Sequence, residues 1–333
     1  MASIIGSTGT AMIRMASLLG LIAWVGASSE LLAQAYPSKP LKLIVPLGVG
    51  SPPDVTGRML AQKMSENIGQ PIVVENRSGA GGTVGGAAVA KSPPDGYTLL
   101  MGSGSSLVLG PAFYPNAGYS ATQSFAPVSL VSQQPFILAV TSSLMVDNLR
   151  EFITLIKANP GKFNYGSPQT ASPPFMAAEL LSRTAGLQMV HVPFGSLAKV
   201  VMAMVSGDAQ FYIEVAPVFM SQIRAGTVKA IATASAKRSP FLPDVPTTAE
   251  AGLPNFETGT WGGVVAPAGT PATVISRLNQ EVHKAMSAKD IQEGFTKQMF
   301  EIQTGTPEDM ARHIAAENAK WTKLIAESGI KPN

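Results

Sequence analysis

Apolar residues fall along this chain in short runs, separated by breaks rich in glycine and proline. Leu41–Val45 reads as a strand buried on both faces, as in a parallel sheet. From Val55 the period changes. Met59, Leu60, Met64 and Ile68 form one helical stripe, and Gly69 supplies a left-handed stop. Ile72–Glu75 is the next strand, Asn76–Gly82 a loop, Thr83–Lys91 a helix of small residues, and Thr98–Met101 a third strand after the turn Pro93–Tyr97. The alternation continues. Strands are predicted at Phe136–Val140, Phe163–Gly166, Val190–Val192, Ala209–Ile213 and Val228–Ala232. Helices are predicted at Leu149–Ala158, Phe175–Ala185, Leu197–Val205 and Ala216–Ala225. The tail, Pro271–Met286, Ala288–Gln298 and Pro307–Ser328, predicts helices alone. Strand–loop–helix repetition calls for parallel sheets with helices on both faces. Two α/β lobes, with the tail helices packed on one of them, is the simplest arrangement.

The first 35 residues stand apart. Arg14 precedes a thirteen-residue apolar run, Met15–Ala27, which is short for a membrane span of ~20 residues. Ala33-Gln34-Ala35 then forms a small-residue cleavage site. Residues 1–35 are therefore predicted as a signal peptide cut after Ala35, which would export the mature chain. The 333 residues include 24 basic and 21 acidic side chains, a net charge of +3. That balance, with no basic stripe among aromatics, argues against nucleic acid as a partner. There is no cysteine, which excludes disulfides, thiolate metal sites and cysteine nucleophiles.

The segment "LIVPLGVGSPPDVT" (43–56) runs from strand through a tight loop to a helix start. It fails as a dinucleotide fingerprint, because Pro53 occupies the third-glycine position and cannot donate a backbone N–H. The glycine-rich stretch 79–86 is followed by alanines, without the Lys–Ser/Thr of a phosphate loop. No G-x-S-x-G elbow occurs, and no histidine spacing suggests a metal site. His283 and His313 are expected to face solvent from the tail helices, and His191 to be a satisfied core or edge histidine. What survives is a general device. Backbone N–H groups at a helix start lack intrahelical partners and attract anions. Loops 46–54, 76–83, 102–106 and 166–172 all have that form. Asp54 is expected to cap the helix from Val55.

Several longer strings carry a resemblance. "GQPIVVENRSGAGGTVGGAAVAKSPPDGYTLLMGS" (69–103), "KANPGKFNYGS" (157–167), "HVPF" (191–194), "AIATASAKRSPFLPDVPTTAEAGLPNFE" (230–257) and "WGGVVAPAGTP" (261–271) resemble the Bug family, extracytoplasmic solute-binding proteins of tripartite tricarboxylate transporters. The likeness covers essentially the whole mature chain. It implies an α/β, two-lobed periplasmic binding protein of the Venus-flytrap, type II-like kind, each lobe a mixed or mostly parallel sheet flanked by helices. Lobe 1 would take 36–137 plus 257–333, and lobe 2 138–256. It implies a small carboxylate solute clasped by one loop from each lobe, largely through backbone N–H groups, and delivery to the transporter's membrane components. The implied ligand-binding residues are Leu47, Gly48, Gly50, Ser51 and Asp54 in the first loop. Ser103 follows the third strand, Ser167, Gln169, Thr170 and Ser172 lie in the second loop, and Phe194 lies beyond "HVP". No cofactor, metal ion or catalytic residue is expected, and the chain is expected to be a monomer.

Departures from the family pattern cluster in these loops. Gly50-Ser51 stands for a double glycine, and the later glycines of the second loop are replaced within Pro168–Ser172. Phe175 and Leu107 stand where histidines are usual, Phe194-Gly195-Ser196 where Tyr-Lys-Gly is usual, and Gln210 where an Asp is common. Loss of positive charge points to an apolar or aromatic monocarboxylate. A ligand-dependent sensor signalling to a membrane receptor would share the same pocket. An exported enzyme would need a nucleophile–base pair that the sequence does not show.

Overall fold

The predicted alternation becomes a ten-stranded sheet over the described residues, 36–170 and 172–330, of this computed structural model. The expected signal peptide and its cleavage site lie outside those residues. The strands are β1 (Leu41–Val45), β2 (Ile72–Asn76), β3 (Thr98–Ser103), β4 (Phe125–Thr141), β5 (Asn164–Ser167), β6 (Val190–Pro193), β7 (Phe211–Val215), β8 (Val228–Thr233), β9 (Gly259–Pro267) and β10 (Glu301–Ile302). Helices of eight residues or more are α1 (Pro52–Ile68), α2 (Thr83–Ala90), α3 (Leu149–Ala158), α4 (Pro173–Ala185), α5 (Leu197–Ser206), α6 (Ala272–Met286), α7 (Lys289–Lys297) and α8 (Pro307–Ser328).

Two halves share β4. In the first, the order is β2-β1-β3-β9-β4, with β1 parallel to β2 and β3 and with β9 antiparallel to both its neighbours. In the second, the order is β6-β5-β7-β4-β8, with β5 parallel to its neighbours and β4 antiparallel to both of its own. The two halves thus repeat one strand order. Residues 125–135 of β4 pair with β9, and residues 136–141 pair with β7 and β8. A continuous buried cluster joins the halves, with Leu100, Phe136, Phe152, Phe211 and Trp261 among its members.

The sequence predicted β4 as five residues, and it has 17. Pro127 and Pro135 obscured its first part, because proline cannot donate to a ladder. The register shifts beside Pro127, which lets the strand continue past it. β9 was not predicted at all, since Gly259, Gly262 and Gly263 depress strand propensity. Two of these glycines are required by proximity. A Cβ on Gly259 would lie 2.4 Å from the Gln134 carbonyl oxygen, and one on Gly263 would lie 2.8 Å from that of Ser129.

Helix starts also moved. α1 begins at Pro52, not Val55, because proline fits the first helical turn, where its missing N–H is not needed. α4 begins at Pro173 for the same reason. The helix expected over 216–225 divides into a 3-10 turn, Ala216–Phe219, and a short helix, Met220–Arg224. A π-helical turn over Gly104–Leu109, followed by a helical turn at Gly110–Phe113, was not anticipated.

Candidate functional site

In open α/β sheets, ligands bind beyond the carboxyl ends of the parallel strands, where the strand order reverses. Both halves turn such ends toward the middle of β4. In the first half, Ser103 at the end of β3 pairs with Gly262, which pairs in turn with Ser132. In the second, Val215 at the end of β7 pairs with Phe136. Ser132 and Phe136 are four residues apart on one strand, about 13 Å. The loops after β1, β3, β5 and β7 therefore gather around one segment of β4, and α4 packs beside the 104–109 turn.

The first loop is held from within. Asp54 is 2% exposed. Its Oδ2 accepts from the Gly50 N–H at 2.9 Å, and its Oδ1 accepts from Arg58 Nε at 3.0 Å and Asn76 Nδ2 at 2.8 Å. Asn76 Nδ2 also reaches the Leu47 carbonyl at 3.0 Å. Burial pushes the Asp54 carboxyl upward, but hydrogen bonds from Arg58, Gly50 and Asn76 outweigh it and hold the group below its ordinary range. The expected capping role is corrected. Ser51 occupies the N-cap, and Asp54 reaches back from inside the helix to brace the loop. Gly50, at φ +80°, gives its N–H to Asp54, and Ser51 gives its own to the Gly48 carbonyl at 3.2 Å. Neither amide is left for a ligand. Among the described residues, the Gly48 and Val49 N–H groups and the buried Ser51 Oγ have no partner.

The second loop is braced around one carbonyl. Gln169 O accepts from Ser167 Oγ at 3.0 Å, from Ser172 Oγ at 2.8 Å and from the Ser172 N–H at 3.4 Å. Ser172 caps α4, its Oγ accepting from the Phe175 N–H. Ser167 is fully buried, and its Oγ lies 2.7 Å from His191 Nε2. Gln169 and Thr170 are exposed, and among the described residues their N–H groups have no partner. Phe194 packs its ring toward Gly166 and donates its N–H to the Ser167 carbonyl at 2.9 Å. Ser103 is committed inside its own turn, exchanging hydrogen bonds with Ser106. The structure thus brings Gly48, Ser51, Gln169 and Thr170 forward as uncommitted groups. Asp54, Ser103, Ser167 and Ser172 act as braces.

Histidine placement divides. His191 is satisfied, as expected, by Ser167 and by the rings of Tyr165 and Phe175, at 5.0 and 4.6 Å between centroids. His283 and His313 do not face solvent freely. His283 Nε2 lies 3.0 Å from the Gly305 carbonyl, and His313 stands edge-on to Trp261 at 4.8 Å. Trp261 and His313 line an open groove of about 650 Å³, with Lys237, Lys320, Glu257 and Glu301. That groove contains none of the predicted site residues. A void of about 10 Å³ at the foot of α1, lined by Pro53, Ser132, Gln134 and Thr260, has room for one water. Sequence reasoning missed Ser106, Gln134 and Trp261. Gln134 and Trp261 meet partners far away in the chain, Met299 and His313, whereas Ser106 stands three residues from Ser103 in a capping box, a local spacing that could have marked it.

A half-sheet repeated about β4, with loops gathered at its inner ends, is the mixed α/β architecture expected of a periplasmic binding protein. Residues 56–330 match the tripartite tricarboxylate transporter family receptor, TctC, and the chain belongs to that family. It is 34% identical to Protein BugT of Bordetella pertussis over 322 residues, covering 96% of this chain and 99% of that protein. Among solved structures it is similar to Rpa4515 of R. palustris with adipate, at 32% identity and TM-score 0.76, over 90% of this chain and 100% of that one. MatC from Rhodopseudomonas palustris with bound malate aligns at 29% identity and TM-score 0.71, over 87% of this chain and 100% of that one.

Proposed function

We propose that this chain captures a small carboxylate-bearing solute in the periplasm, between lobes 36–137 plus 257–333 and 138–256. It then delivers the solute to the membrane components of a tripartite tricarboxylate-type transporter, acting as a monomer and without catalysis. The observation that carries this reading is the pair of braced loops after β1 and β5. Each leaves successive N–H groups uncommitted, Gly48 and Val49 in one and Gln169 and Thr170 in the other, beside the buried Ser51 hydroxyl. Such groups suit an anion, and closure around it strengthens the hydrogen bonds by excluding water. The adipate and malate bound by two solved relatives support the ligand class.

The loops 46–54 and 166–172 carry no lysine, arginine or histidine. Phe175 and Phe194 stand beside the second loop. A monocarboxylate with an apolar or aromatic body fits that composition better than a tricarboxylate. The test is a thermal-shift screen of small carboxylates on the mature chain. At least one acid should stabilise it, by ~2.7 kcal/mol at 100 times Kd. Stabilisation by uncharged sugars or amides, with none by acids, would overturn the reading.

A further inference from the structure

His191 belongs to β6 and reaches the clasp loop of β5 through one contact, Nε2 to Ser167 Oγ at 2.7 Å. The Ser167 hydroxyl has one proton and two oxygen or nitrogen neighbours, His191 Nε2 and Gln169 O at 3.0 Å. If that proton pointed at the imidazole, two oxygens would face each other at 3.0 Å with no hydrogen between them. The arrangement is satisfied when Ser167 donates to Gln169 and His191 Nε2–H donates to Ser167. Burial between aromatic rings holds His191 below its ordinary range, so at neutral pH the ring carries one N–H. The hydrogen-bond geometry assigns that hydrogen to Nε2.

We propose that His191 is a positioning residue of the carboxylate clasp. Through Ser167 it fixes the Gln169 peptide so that the Gln169 and Thr170 N–H groups face the solute. The inference rests on the carboxylate reading above. Two features favour a positioning role over ordinary packing. Gln169 O takes hydrogen bonds from both ends of the loop, Ser167 and Ser172, so the orientation of one peptide sets the whole segment. The backbone bonds from β6 and the turn after it, Phe194 to Ser167 and Gly195 to Pro168, reach no further than Pro168. From Gln169 onward, the Ser167 and Ser172 hydroxyls hold the peptide at 3.0 and 2.8 Å, joined by one longer backbone bond from the Ser172 N–H at 3.4 Å. The Ser167 hydroxyl is accordingly spent on the loop and is not offered to the solute.

The test is calorimetric titration of the mature chain with whichever of benzoate, adipate or malate binds it. His191→Phe keeps a ring between Tyr165 and Phe175 but removes the donor, and should weaken binding about tenfold. His191→Gln returns an N–H near the Nε2 position and should recover most of that loss. In a Ser167→Ala background, His191→Phe should have no further effect, because its route to the loop is gone. Unchanged affinity in His191→Phe would overturn the inference and leave the carboxylate reading standing. So would an equal loss in both backgrounds, or a loss that His191→Gln fails to recover. Should none of the three acids bind the wild-type chain, the carboxylate reading fails and the inference fails with it.

Discussion

Asp54 directs its charge inward. A carboxylate in an anion-binding loop would repel the ligand if it stayed free, yet Gly50, Arg58 and Asn76 consume its acceptors. The residue type was legible in the sequence, but its role was not, because Asn76 comes from a different strand. Glu214 shows the opposite balance. It is half-buried at the end of β7, and burial pushes its carboxyl up to about 7 although the Val215 N–H and the Tyr212 hydroxyl favour the ionised form. Its folded pKa is raised, so the folded state holds the proton more tightly than the unfolded chain. Stability from this group is full below about pH 4.5 and falls as pH rises through 7, by about 3 kcal/mol in all. Glu214→Gln cannot ionise and should flatten that fall. Urea denaturation at pH 5, 6.5 and 8 checks it, and an unchanged slope would remove Glu214 as its source.

At the scale of elements, periodicity located the short parallel strands and most helices, since their burial patterns depend on near neighbours. β1 and α3 have the bounds the sequence predicted. The first part of β4 and all of β9 were hidden, the one by prolines and the other by glycines. β4 and β9 approach so closely that glycine is needed where strand formers are usual, and Pro127 sits where the ladder shifts register. Gly259→Ala should therefore cost at least about 2 kcal/mol, since the new methyl meets a backbone carbonyl that cannot turn aside. A denaturation midpoint equal to wild type would show that the β4–β9 crossing has more room than 2.4 Å implies. The candidate loops divided in a similar way. Their positions followed from strand–loop–helix order. How those loops are held depended on Asn76 and His191, which act across tertiary contacts, as well as on Asp54, which takes up the Gly50 N–H four residues away.

For the whole molecule, the repeated strand order matters most. Each half sets its first strand between its second and third and receives an antiparallel strand beyond the third, so both sets of candidate loops look toward the middle of β4. An anion held by N–H groups from both halves favours the closed arrangement by its differential affinity for it. The central claim is that charge on the solute, read by backbone donors, drives capture. Calorimetric titration with an acid and its primary amide, benzoate against benzamide or adipate against adipamide, tests it most directly. Saturable binding of an acid is expected, with at least a hundredfold weaker binding of its amide. Equal affinity for the two would contradict it.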